Sequence, residues 1–305
     1  MRVVFMGTPD IAATCLKRLI SAEFNIIGVY TKPDMPKNRG MKLEMSDVKK
    51  VALEAEIPVY QPTTFKDDAV YEELKALQPD VIAVVAYGKI LPQRVLDIPR
   101  LGCVNIHASV LPSLRGSGPV QWSILNGFDE TGVTAMYMAA EMDAGDIIEI
   151  RKTPIEPFEN AQSLLDRLAD IGGDLLCDTL VAMENGTATR TPQEHEKATF
   201  APMLNKTMCP IDWTKNSRQI IDHVRGLDPW PVATTEVCGT RFKIYEVRPT
   251  DKKTAKAAGT PIALTKQGLE IACGDGEVLV ITKLQADGGK RMAAPDYFRG
   301  HPIEL

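Results

Sequence analysis

DVIAVVAYG, residues 80–88, is the most apolar of a series of short runs in this chain, and it shows no polar alternation. A half-buried strand alternates polar and apolar side chains, whereas a strand covered on both faces reads as a continuous apolar run. The same texture recurs in both directions: RVVFMG (2–7), NIIGVYT (25–31) and PVYQP (58–62) before it, CVNIH (103–107) and VTAMYM (133–138) after it. Between the first two runs, Ile11, Cys15, Leu16, Leu19 and Ile20 recur at helical spacing, with Thr8 read as the cap and Pro9 in the first turn. Strands alternating with helices predict an α/β fold with a doubly wound, mostly parallel sheet of Rossmann-like type.

Further along, IIEIRKTPI (147–155) precedes a long helical stretch, about 161–184, that ends at Asn185-Gly186. The polar segment TATRTPQEHEKATFAP (187–202) reads as a linker. From about 205 the texture changes to one amphipathic helix, about 217–226, and then the runs VATTEV, RFKIYEV, TPIALT, GLEIACG and EVLVITKL, separated by Gly, Pro and Asp turns. That pattern predicts a small β-barrel. The expected organisation is a first domain over 1–188, a linker over 189–204 and a second domain over 205–305.

The length of 305 residues fits about two domains at ~150 residues each. Charged residues make up 25% and hydrophobic ones 44%, with a net charge of -5, which excludes disorder, collagen and a simple basic nucleic-acid coat. No apolar run approaches the ~18 residues of a membrane span. The opening MRVVFMGTPD runs directly into a strand without a signal-peptide pattern, so a cytoplasmic protein is expected. Six scattered cysteines form no CxxC or CxxH, and no two of the four histidines stand at i,i+4. Reduced, structural thiols and no metal site follow. No surplus apolar face is evident, and a monomer is expected.

Charge is unevenly shared. Residues 205–305 hold 15 Lys/Arg against 12 Asp/Glu, and residues 1–204 hold 20 against 28. A mildly basic second domain is suited to an anion such as a phosphate backbone, although a solvated surface has the same composition. Residues 31–50, TKPDMPKNRGMKLEMSDVKK, are too polar to pack and exceed the ~2–6 residues of an ordinary βα turn.

No GxGxxG or GxxxxGK[ST] occurs, so a Rossmann dehydrogenase or a Walker-type nucleotide site is unsupported. A doubly wound sheet still places its ligand crevice beyond the carboxyl ends of the strands. There, Asn105 and His107 are two positions apart on CVNIH and share a face. Buried polar groups need partners, so the pair is either a satisfied core element or a site. A Pro/Gly/Ser-rich loop, Ser109 to Gly118, follows at once and allows close backbone approach by a flat ligand. In AAEMDAGDIIEI (139–150), Asp143 and Asp146 flank Ala144-Gly145. Either acid can lie near His107 or simply form the turn, and spacing does not choose between them.

NIHxSxLPxxRGxxP followed by a D-x-G-D turn resembles the folate-dependent formyltransferases that use 10-formyltetrahydrofolate. The opening FxGTPD, the loop PDxPxxRGxKL, AYGxILP (86–92) and DPWP (228–231) are similar to the branch of that family acting on initiator methionyl-tRNA. The likeness spans essentially the whole chain. It implies Asn105, His107 and Asp143 as catalytic residues, and Ser109, Val110, Leu111 and Pro112 as the folate motif, with Val110 a conservative departure. It implies Arg39, Lys42 and Lys206 as tRNA contacts and an OB-like barrel as the second domain. Two departures stand out. Leu114-Arg115-Gly116-Ser117-Gly118-Pro119 replaces the family's aromatic-Arg-Gly-Ala-Ala-Pro, and Thr207-Met208 follows Lys206 where the family has an acid.

Rival readings share parts of this pattern. Formyltransferases acting on a sugar-nucleotide amine share the NIH–SxLP core, but GTPD and PDxPxxRGxKL count against them. Glycinamide ribonucleotide formyltransferase lacks a second domain. A catalytically dead folate- or RNA-binding module is opposed by the intact Asn105, His107 and Asp143.

Overall fold

The structure is a computed structural model that describes residues 1–37 and 42–303. Arg39 and the side chain of Lys42 lie outside the described residues. The chain divides into two compact units, one of Met1–Pro119, Thr131–Thr153 and Leu165–Ala201, the other of Val120–Glu130, Pro154–Leu164 and Pro202–Leu305.

The first elements are β1 (Arg2–Gly7), α1 (Asp10–Ser21), β2 (Asn25–Tyr30), β3 (Met35–Lys37), β4 (Lys42–Glu44), α2 (Asp47–Glu54) and β5 (Val59–Tyr60). They are followed by α3 (Asp68–Ala76), β6 (Val81–Val85), α4 (Gln93–Leu96), β7 (Cys103–His107), β8 (Arg115–Gly116) and α5 (Pro119–Leu125). Then come β9 (Glu130–Tyr137), β10 (Ile147–Pro154), α6 (Ala161–Glu184) and β11 (Phe200–Ala201).

Seven strands form one sheet in the order β10-β9-β7-β6-β1-β2-β5. From β5 through β7 every ladder is parallel, and β9 runs antiparallel to β7. The continuous apolar reading of 81–85 has its cause here, since all five residues of β6 are buried. The chain moves from β1 to β2 and β5, then returns to the other side of β1 for β6 and β7, so the winding reverses between β1 and β6. On one face, α6 presses close: a Cβ on Gly172 would sit 3.1 Å from Ile106 Cγ2, tighter than an ordinary contact. On the other face, Val4, Met6, Ile82 and Val84 pack with Leu74 of α3 and with Val95 and Leu96 of α4.

Two sequence expectations change. The cap of α1 is Pro9 and has no side-chain hydrogen bond, because the Thr8 hydroxyl donates instead to the Tyr87 carbonyl at 3.1 Å. Residues 189–204 are also not a free linker. Thr191 bridges Ile147, Gln193 is buried, and β11 pairs in parallel with β8. Polar residues become buried when their groups are bonded, and composition alone does not reveal the partners.

The second unit contains α7 (Ser217–Gly226), β12 (Ala233–Val237), β13 (Thr240–Lys253), β14 (Pro261–Leu264), β15 (Leu269–Ala272), β16 (Glu277–Ala286), β17 (Met292–Ala293) and α8 (Ala294–Gly300). Asn216 and Gln219 form a reciprocal capping box at the start of α7. The sheet order is β12-β13-β16-β15-β14, with β17 on β16, and all its ladders are antiparallel. Ile220 and Val224 of α7 and Phe298 of α8 share a core with Phe242, Ile244, Leu279 and Ile281 of the sheet. The strands expected from the sequence are present, but a closed barrel is not. β12 and β14 are the two edges, and no ladder joins them among the described residues. Register shifts interrupt the β13–β16 ladder between Ile244 and Val247 and again between Pro249 and Lys253.

Candidate active site

β7 lies between β6 and β9, with Asn105 opposite Val84 and Met136, and His107 opposite Thr134. Cys103 belongs to the α3/α4 side of the sheet, so the two-residue period puts Asn105 and His107 on that side too. Asn105 is half-buried, and its amide makes no side-chain hydrogen bond among the described residues. His107 is only 6% exposed. Its Nε2 lies 3.0 Å from the Leu114 carbonyl oxygen. A carbonyl can only accept, so Nε2 carries a proton and Nδ1 is the nitrogen left open to other partners.

Nδ1 faces Asp143 Oδ2 across 3.7 Å, too far for a direct hydrogen bond. That same oxygen accepts the Gly116 N–H at 2.8 Å. The acid beside the imidazole is therefore Asp143. Asp146 is turned toward Arg190, at 3.9 Å. Asp143 occupies the left-handed region at φ 53, and Gly145 passes so close to the end of β9 that a Cβ there would run into the Tyr137 carbonyl oxygen.

The loop after β7 is bonded to itself and to β9. Ser109 Oγ donates to the Ser113 carbonyl at 2.6 Å, and the Ser109 carbonyl accepts from Thr134 Oγ1 at 2.6 Å. Leu111 N–H donates to Thr134 Oγ1 at 3.2 Å, and Leu114 N–H donates to Thr199 Oγ1 at 2.9 Å. Among the four residues of the expected folate motif, Ser109 and Leu111 are buried and shape the loop, whereas Val110 and Pro112 are half-buried. Leu114, at φ 61, turns its carbonyl toward His107.

At the winding reversal, Gly88 sits at φ 71, where a Cβ would run into Lys32 Nζ. Burial and the charge of Lys32 push the Lys89 ammonium below its usual range, and Lys89 donates to the Pro62 and Thr63 carbonyls. Lys206, in the second unit, is exposed on a short 3-10 turn after Asn205, whose side chain accepts the Thr207 N–H at 2.9 Å. Among the described residues no group of three potential metal ligands occurs, and no helix is long and apolar enough to cross a membrane.

Three contributors escaped the sequence reading: the Leu114 carbonyl, the Gly116 N–H and Gln193. The first two are backbone groups, invisible to residue type, although Arg115-Gly116 stands in the quoted motif. Gln193 fell within the segment read as linker and carried no signal of its own.

A family model described as formyl transferase matches residues 1–180, and one described as formyl transferase, C-terminal domain, matches 203–302. A methionyl-tRNA formyltransferase of Clostridioides difficile is 45% identical over 306 residues, covering 100% of this chain and 98% of that protein. One of Trichlorobacter lovleyi is 44% identical over 304 residues, covering 100% of this chain and 95% of its own length. An N-formyltransferase of Helicobacter canadensis, solved with folinic acid and dTDP-3-aminofucose, superposes with a TM-score of 0.70 over 92% of this chain and 98% of its own. At 19% identity, that likeness is one of fold. Full-length identity of this size, joined to a match by both domain models, places the chain: it belongs to the methionyl-tRNA formyltransferase family.

Proposed function

We propose that this chain transfers the formyl group of 10-formyltetrahydrofolate to the free amino group of methionine on initiator methionyl-tRNA. The observation that carries this reading is the Asn105 amide, without a hydrogen-bond partner among the described residues, on the same strand face as His107, whose Nδ1 faces Asp143, in a chain that matches methionyl-tRNA formyltransferases over its whole length. A half-buried amide with no protein partner among the described residues fits a ligand that brings its own acceptor. The 10-formyl group supplies an activated carbonyl whose N10 is the leaving nitrogen.

In this reading, the methionyl amine attacks the formyl carbon. The addition gives a tetrahedral adduct with charge on its oxygen, and the adduct then expels N10 as the C–N10 bond breaks; the amine loses one proton and N10 gains one. Asn105 donates to the formyl oxygen as negative charge develops there, a contribution of roughly 3–4 kcal/mol to the barrier. His107 carries the proton on Nδ1, within the gap bordered by Asp143, while Leu114 keeps Nε2 occupied. Asp143 stabilises the charged ring and passes the amine proton, directly or through water, to the leaving N10. No covalent enzyme intermediate is required. Arg39, Lys42 and Lys206 are assigned to the tRNA, the first two from the basic 31–50 loop and the third from its exposed turn.

The test is incubation with 10-formyltetrahydrofolate and, separately, methionyl-initiator-tRNA, free methionine and an aminosugar nucleotide. Formylation of the charged tRNA alone supports the proposal. Transfer only to the sugar amine overturns the substrate, and no transfer to any acceptor favours a binding module.

A further inference from the structure

Gln193 is 5% exposed, and all four of its side-chain hydrogen-bonding positions are used. Its Oε1 accepts from Arg115 Nε at 3.2 Å and Nη2 at 2.7 Å. Its Nε2 donates to the carbonyls of Asp143 at 2.9 Å and Gly145 at 2.8 Å. The orientation of the amide is fixed by its neighbours, since a guanidinium only donates and a carbonyl only accepts. Arg115 is itself 3% exposed and also faces His195 Nδ1 at 3.1 Å and Glu141 at 3.7 Å.

This arrangement closes a ring around the site. Arg115 and Gly116 are consecutive on β8. Gly116 holds the Asp143 carboxylate by its N–H, and Arg115 holds Gln193, which grips the Asp143 backbone. Asp143 sits in the left-handed region, uncommon outside glycine although aspartate enters it more readily than most side chains, so restraint from its surroundings helps to hold it there. Gln193 supplies that restraint, and Arg115 acquires a task that the motif alone did not reveal.

We propose that Gln193 is a positioning residue for formyl transfer: its amide nitrogen locks the Asp143–Gly145 turn so that the Asp143 carboxylate stands opposite His107 Nδ1. The proposal rests on the transfer reading above. Gln193 touches no reacting atom. It acts by fixing where the acid stands, and a displacement of about 1 Å in such a group costs roughly 10²-fold in rate.

Two substitutions separate this role from simple support of a buried arginine. Gln193→Glu keeps both bonds to Arg115 and adds an opposite charge, but sets a carboxylate oxygen against the two turn carbonyls. Gln193→Met keeps the volume and removes the bonds to Arg115 and to both turn carbonyls. A residue needed only to satisfy Arg115 would tolerate Glu and not Met. A residue that locks the turn tolerates neither.

The experiment measures kcat and KM for methionyl-tRNA and 10-formyltetrahydrofolate, with thermal midpoints, for the wild type and both variants. The expected result for Gln193→Glu is a kcat lowered about 10²-fold, with both KM values near wild type and a smaller drop in thermal midpoint than Gln193→Met shows, because the pairing with Arg115 is kept. A Gln193→Glu enzyme with wild-type kcat overturns the proposal, as does a loss confined to KM. Hydrogen exchange of the Gly116 amide gives a readout independent of turnover. The proposal requires faster exchange in Gln193→Glu, because its Asp143 acceptor moves, and unchanged exchange contradicts it. A wild-type chain that transfers no formyl group would defeat the transfer reading, and the Gly116 amide would still decide whether Gln193 locks the turn.

Discussion

His107 Nδ1 and Asp143 Oδ2 stand 3.7 Å apart, held from opposite sides by backbone groups of one short loop. The Leu114 carbonyl takes the far nitrogen of His107, and the Gly116 N–H takes the carboxylate of Asp143. Acid and imidazole thus face each other without being bonded, and the proposed transfer requires that Nδ1 and the carboxylate exchange protons across this gap.

Asn105 makes no side-chain hydrogen bond among the described residues, so its removal leaves no protein partner stranded. Asn105→Ala is therefore expected to keep the wild-type thermal midpoint while lowering kcat by about 10²–10³-fold. Calorimetry alongside turnover separates this from the usual fate of a core polar residue, which loses stability first.

Gly116 has φ 117, and a Cβ there would lie 2.8 Å from the Ala201 carbonyl oxygen. Gly116→Ala strains the backbone and pushes β8 from β11, and the expected cost is about 1–3 kcal/mol. Urea unfolding measures it. Turnover should fall as well, because the N–H that holds Asp143 moves.

His223 of α7 sits in the second unit with Nε2 near the Cys209 carbonyl at 3.4 Å. Burial lowers its pKa, assisted by Lys215; the Cys209 hydrogen bond and Asp212 oppose this less strongly. Above the ordinary imidazole value of ~6.5 the ring is neutral in both folded and unfolded chains. Below it, the unfolded chain takes the proton first, so stability is lost as pH falls from there through the lower folded value. Urea midpoints at descending pH should drop more steeply for wild type than for His223→Gln.

Arg39→Ala is expected to weaken tRNA binding and reduce the slope of log affinity against log salt by about 1, leaving folate affinity unchanged. Filter binding across a salt series measures the first two, and equilibrium dialysis the third. A parallel fall in folate affinity would contradict the assignment.

The sheet was legible because burial on both faces leaves continuous apolar runs, as at Val81–Val85, and α6 and α7 because their periodicity is long or strongly amphipathic. Short antiparallel strands with turns read alike in a barrel and in a helix-covered open sheet, so the expected closure of β12 to β14 had no basis in the local pattern. Asn105 and His107 showed their shared face through strand period alone. The choice of Asp143 over Asp146, and the role of Gln193, depended on contacts across 27 to 78 residues of chain, which no local spacing encodes.

The most direct test of the account is the rate of formyl transfer to methionyl-tRNA by wild type and His107→Ala, with both substrates saturating, beside the tRNA dissociation constant of each. The account predicts N-formylmethionyl-tRNA from the wild type, a rate lower by about 10²–10⁴-fold in His107→Ala, and an unchanged dissociation constant. Equal losses of rate and tRNA affinity, or a variant that transfers at the wild-type rate, would contradict it.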